Sequence, residues 1–118
     1  MKFITDSQLT KLITNACASC DAYRTNQETD QKPVVKIFGP DSFRVWLLTE
    51  LDPHRDDLAY GLVDEGDGFP ELGYVRLSEL RTVRGKLGMP VDRDRHFVAD
   101  KTINAYAETA RVRGFIKT

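Results

Sequence analysis

Histidine, cysteine and long apolar runs are scarce in this 118-residue chain, and each scarcity removes a class of function. The histidines are His54 and His96 alone, far apart in sequence, so a zinc site of several Cys and His ligands has too few members. The cysteines are Cys17 and Cys20 alone. A redox C-x-x-C pair sits at a helix N-terminus after a strand, where the dipole lowers a thiol pKa. Here both cysteines fall late in a helical pattern and read as small buried or half-buried side chains. No apolar run approaches the roughly 20 residues that cross a bilayer, so no membrane association is expected. The start, MKFITDSQL, lacks the apolar core and cleavage site of a secretory signal, and a cytoplasmic location is expected. G-x-S-x-G, P-loop, G-x-G-x-x-G and H-E-x-x-H patterns are missing too. The expectation is a non-enzyme with no cofactor and no metal.

What is present describes one soluble domain over residues 1–118. Hydrophobic residues make up 41% and charged residues 30%, enough apolar surface for one core without staples. Thr5 with Gln8 forms a T-x-x-Q capping box, with Ile4 and Leu9 as a hydrophobic staple. Leu9, Leu12, Ile13, Ala16 and Cys20 then follow helical spacing on one face. Residues 24–32 are polar throughout and read as a loop. Strands are expected at 33–38 and 43–51, joined by a hairpin turn at Gly39-Pro40-Asp41-Ser42. In the second strand Phe43, Val45, Leu47, Thr49 and Leu51 alternate with Arg44, Trp46, Leu48 and Glu50. The second set is too apolar to be solvated, so a helix is expected over it, with Trp46 and Leu48 in the core.

Further strands are expected at 58–63 and 72–77, in an antiparallel meander because the connections are short. Ser78 is placed to cap a short helical turn over 79–83. Gly85 is expected at positive φ and Gly73 at a close approach. A final strand is expected near 96–99. Asp100 is placed to cap a last helix running to about Arg113, which Gly114 ends. The fold class is therefore α+β: an N-terminal helix, an antiparallel sheet of four or five strands, a short helical turn and a C-terminal helix. The expected core is Leu9, Leu12, Ile13, Val35, Ile37, Val45, Leu47, Leu62, Val75 and Leu77.

The net charge of −1 gives no bulk attraction to nucleic acid or membrane, but it hides an asymmetry. Residues 50–71 carry Glu50, Asp52, Asp56, Asp57, Asp64, Glu65, Asp67 and Glu71 against Arg55, a net of −7. Complementary charge steers encounter and register, while buried aromatics carry affinity. These acids apart from Glu71, with Phe69 and Tyr60 as apolar anchors, are thus a candidate protein-docking surface. Residues 72–96 carry Arg76, Arg81, Arg84, Lys86, Arg93 and Arg95 against three acids, a net of +3. Those six bases are the alternative, a nucleic-acid contact of a small regulatory or processing factor, with Tyr74 or Phe97 as stacking candidates. The alternation of Asp92 and Asp94 with Arg93 and Arg95 suits internal ion pairs better.

One stretch organises the rest. PELGY-x-x-LSEL followed by VRG-x-LG-x-PV-x-RD, together with MKFIT-x-x-QL and Trp46 before Leu48-Thr49-Glu50, resembles a bacterial family known as domain of unknown function 2958. The resemblance covers roughly residues 1–98, with 24–32 and the tail after Asp100 looking particular to this chain. That family is met on plasmids, phages and other mobile elements. The resemblance implies a small accessory protein that binds a host or mobile-element protein, including an inhibitor of restriction or CRISPR defence. It carries over no site residues.

Overall fold

The computed structural model describes residues 4–55 and 57–118. Helix α1 (Asp6–Arg24) begins where the capping box sets it. Thr5 Oγ1 accepts from the Gln8 N–H at 3.2 Å, and Gln8 Oε1 accepts from the Thr5 N–H at 3.0 Å. Such a reciprocal cap contributes about 1 kcal/mol. Four strands follow as a meander: β1 (Val35–Phe38), β2 (Val45–Leu51), β3 (Leu58–Asp64) and β4 (Glu71–Arg76). Each pairs antiparallel with the next. The chain then forms α2 (Leu77–Leu80), β5 (Asp92–Arg93) and α3 (Ile103–Arg113). β5 returns to the free side of β1, giving the sheet order β4-β3-β2-β1-β5. The expected α+β architecture is therefore the one observed.

Details differ from the sequence pattern for physical reasons. A bridge between Arg84 and Pro90 closes the turn after α2 and delivers Asp92 beside Phe38, so the last strand lies ahead of residues 96–99. Phe97 and Ala99 pack against the core under α3 instead. Ser78 lies inside α2 and caps nothing; its hydroxyl donates to Asp57 at 2.7 Å. The α3 cap comes from far away in sequence. Asp30 accepts from the Asn104 N–H at 3.0 Å and from the Thr102 hydroxyl at 2.8 Å, and Gln31 O accepts from the Ile103 N–H at 2.7 Å. Asp100 instead accepts from the Tyr106 hydroxyl. The polar segment before β1 is thus the anchor of α3. Gly114 ends that helix at φ 81°, as expected.

The sheet carries a core on each face. One joins Leu12 of α1 to Val35, Ile37, Trp46, Leu48, Leu51, Leu77, Leu80 and Val91. The other joins Leu47 and Leu62 to Ile103, Tyr106, Ala107, Ala110 and Ile116. Ile13, Val45 and Val75 pack at the margins. Leu9 is exposed, because the buried residues of α1 are Leu12 and Asn15. The same placement leaves Cys17 and Cys20 exposed, not buried. Phe43 precedes β2 and is exposed as well.

The register of β2 slips between Leu48 and Glu50, leaving Thr49 as an extra residue. β1 begins opposite Leu48, so this part of β2 has no strand on that side. α1 supplies the missing partner: Asn15 Nδ2 donates to Thr49 O at 3.0 Å. A buried asparagine on a packing face is thereby satisfied. Past the bulge the alternation inverts. Leu51 joins Trp46 and Leu48, and Glu50 moves to the opposite face, directly across from Tyr60.

The glycine expectations also change. Gly85 is not at positive φ; Gly88, at φ 77°, makes that turn. Gly73 faces open space, whereas a Cβ on its cross-strand partner Gly61 would run into the Leu47 backbone.

Candidate functional site

The inverted alternation after Thr49 builds a row of three side chains. Glu50 pairs with Tyr60, and Tyr60 pairs with Tyr74, on adjacent strands β2, β3 and β4. Directly opposed residues share a face with Cβ atoms about 5 Å apart. The two tyrosine rings are 5.0 Å apart between centroids and tilted by 59°, within the range of a favourable aromatic pair. Tyr74 is 71% exposed at the free edge of the sheet, whereas Glu50 and Tyr60 are half-buried.

Ser19 of α1 donates to Glu50 Oε2 at 2.7 Å, with Thr29 Oγ1 at 2.8 Å from the same hydroxyl. Burial pushes the Glu50 carboxyl above its ordinary 4.5, and the Ser19 hydrogen bond opposes that rise. Burial also raises the Tyr60 phenol, helped by the neighbouring Tyr74 and Glu50.

The row forms the floor of an open groove of about 840 Å³. Its walls are the second half of α1, residues 27–31, residues 49–54 and the start of α3. Asp30 and Gln31 tie that wall down through α3, and Gln31 Nε2 donates to Asn15 O at 3.1 Å. The lining carries Asp21, Glu28, Glu50 and Asp52 against Arg24, with His54 beside them. A second concavity of about 660 Å³ lies between the 39–44 turn and residues 114–116.

Three of the sequence-predicted docking residues, Glu50, Asp52 and Tyr60, come together in the groove. The others do not join them. The loop before β3 and the loop after it lie at opposite ends of a seven-residue strand, roughly 20 Å apart. Asp57 accepts from Ser78 and, at 3.0 Å, from Arg76; these hold its carboxyl below the ordinary 3.8. Asp64 is only 1% exposed, so it is no rim charge; it accepts from the Gly66 N–H at 2.9 Å and the Ile116 N–H at 3.1 Å. Asp67 accepts from the Phe69 N–H, Glu65 is exposed, and Phe69 is 76% exposed beside them. Asp56 lies outside the described residues.

Sequence reasoning missed Ser19, Asp21 and Glu28, and offered Tyr74 only as a stacking platform beside the arginine-rich segment. The period-2 pattern of 72–76 was enough to put Tyr74 on an open face, but its alignment with Glu50 needs the bulge.

The arginine-rich segment is largely engaged. Arg76 pairs with Asp57, and Arg95 with Asp92 at 3.4 Å. Arg84 Nη1 donates to the carbonyls of Arg81 and Val83. Arg81 and Arg93 have interactions of their own, and Lys86 is exposed. Among the described residues no group of three or more His, Cys, Asp and Glu is placed to hold a metal ion. No helix among them is long and apolar enough to cross a membrane.

The family described as "Protein of unknown function (DUF2958)" matches residues 3–117. The chain belongs to the DUF2958 family. The match runs through residues 24–32 and past Asp100, so the α3 anchor and α3 itself lie within the DUF2958 region. The motif resemblance, ending near residue 98, sets both apart as particular to this chain, and the match over residues 3–117 corrects that. No curated protein and no solved structure matches this DUF2958 chain.

Proposed function

We propose that this DUF2958 protein is a non-catalytic protein-binding accessory module whose groove receives a basic segment of its partner. The observation that carries this reading is the meeting of four carboxylates and an open tyrosine edge in one groove. Acidic rims steer basic partners and set register, and a tyrosine floor supplies apolar contact at low entropy cost. Asp21, Glu28 and Asp52 would provide the steering, with Tyr60 and Tyr74 providing contact area. The mobile-element setting implied by the resemblance makes a host or element protein the expected partner. A restriction or CRISPR defence complex is the class of target to try first. The nucleic-acid alternative draws less support, since Arg76, Arg84 and Arg95 are occupied by internal acceptors.

The test compares capture from host lysate by the native chain and by an Asp21→Lys/Asp52→Lys variant, followed by titration of each purified retained protein. A partner held by the native chain and released by the variant supports the groove. Equal retention contradicts it. Micromolar binding of DNA or RNA that falls steeply with salt would favour the arginine segment instead.

A further inference from the structure

We infer that the Glu50–Tyr60–Tyr74 row is an arginine site, in which a partner's arginine stem lies across Tyr74 and its guanidinium meets the Glu50 carboxylate beside Tyr60. This deepens the protein-binding reading and rests on it. The two cross-strand steps from Glu50 to Tyr74 cover roughly 10 Å, the length of a channel that an extended side chain fills. Tyr74 is open at the sheet edge, and the path from it to Glu50 runs along the tyrosine pair.

The chemistry at the inner end selects a planar cation. A carboxylate offers about four acceptor positions, and Ser19 is the hydrogen-bond donor that uses one of them among the described residues. A guanidinium brings parallel N–H donors that match two carboxylate oxygens, and its plane stacks on tyrosine; an ammonium does neither. Cation–aromatic attraction grows as water is excluded, and Glu50 is half-buried. The raised Glu50 pKa agrees, since burial weighs on a charge that an arriving cation would offset. Asp52 at the rim attracts the same cation without making the final contact.

The test titrates isotope-labelled full-length chain with acetyl-Gly-Gly-Arg-Gly-Gly-amide and with its lysine and citrulline counterparts, following backbone amides by NMR. Citrulline keeps the shape and removes the charge. The arginine peptide is expected to shift amides of residues 49–52, 60 and 74 with a dissociation constant on the order of 1 mM, as befits one side chain. Citrulline, and Glu50→Gln with the arginine peptide, should each bind about tenfold more weakly, the loss of one charge-assisted contact. Lysine should fall between them. Tyr74→Ala should weaken binding where Tyr74→Phe keeps it. Equal affinity for arginine and citrulline, shifts confined to other residues, or no shift at tens of millimolar peptide would overturn the assignment. The citrulline comparison uses the native chain, so it stands even if a variant unfolds. If the arginine peptide is silent while a captured partner is still released by Asp21→Lys/Asp52→Lys, only the arginine site fails. If the partner ignores that double variant, the groove reading fails whatever the peptide does.

Discussion

The Asp64 carboxylate at the end of β3 accepts the backbone N–H of Ile116 at 3.1 Å, tying the last residues of the chain to the sheet. The same carboxylate accepts from the Gly66 N–H, and the side chain is 1% exposed. Asp64→Ala removes both acceptors at once and leaves a buried N–H without a partner. A loss of about 2–3 kcal/mol is expected in urea unfolding, with faster amide exchange at Ile116. A variant as stable as the native chain would show that neither hydrogen bond to Asp64 supports the fold.

Glu50 gives the opposite result. Its folded pKa lies above the unfolded value, so the folded chain holds the proton more tightly. Its contribution to stability is fully present below the unfolded pKa and declines as pH rises through the folded pKa. Glu50→Gln keeps the acceptor for Ser19 and avoids the buried charge. Near neutral pH it should be at least as stable as the native chain, and the difference should vanish in acid. Denaturant unfolding at the two pH values checks this. A variant less stable at neutral pH would mean that the charge stabilises the fold.

Asp30 is expected to act at a distance of more than seventy residues. Asp30→Ala should cost about 1 kcal/mol, the value of a helix cap, and speed exchange at the start of α3. Unchanged exchange there would show that Gln31 O and solvent suffice.

Gly61 and Gly73 face each other across β3 and β4 yet should respond in opposite directions. Gly61→Ala presses a methyl group into the Leu47 backbone and should cost at least about 2 kcal/mol. Gly73→Ala meets nothing and should gain about 0.5 kcal/mol, because a strand glycine pays in chain entropy. Melting temperatures of the two variants decide the point.

What the sequence showed was local. The T-x-x-Q box placed the start of α1, short connections dictated the meander, and Gly114 marked the end of α3. What it hid was non-local. The extra residue at Thr49 carries no glycine or proline to announce it, yet it moved Glu50 to the tyrosine face and Leu51 to the α1 face. Asp30 looked like one more polar loop residue, because the helix it caps lies at the other end of the chain. Acids adjacent in sequence scattered to both ends of β3, so counting charge along the chain pointed to a patch that the fold divides. The expected strand at 96–99 failed because the Arg84–Pro90 bridge brings the chain back to β1 sooner.

The most direct measurement is hydrogen exchange on the complex of the native chain with its purified partner. Slowed exchange is expected at residues 19–24, 49–54, 60 and 74, around the groove, with residues 65–69 and 84–90 exchanging as in the free protein. Protection at 65–69 or 84–90, with the groove unchanged, would contradict docking in the groove.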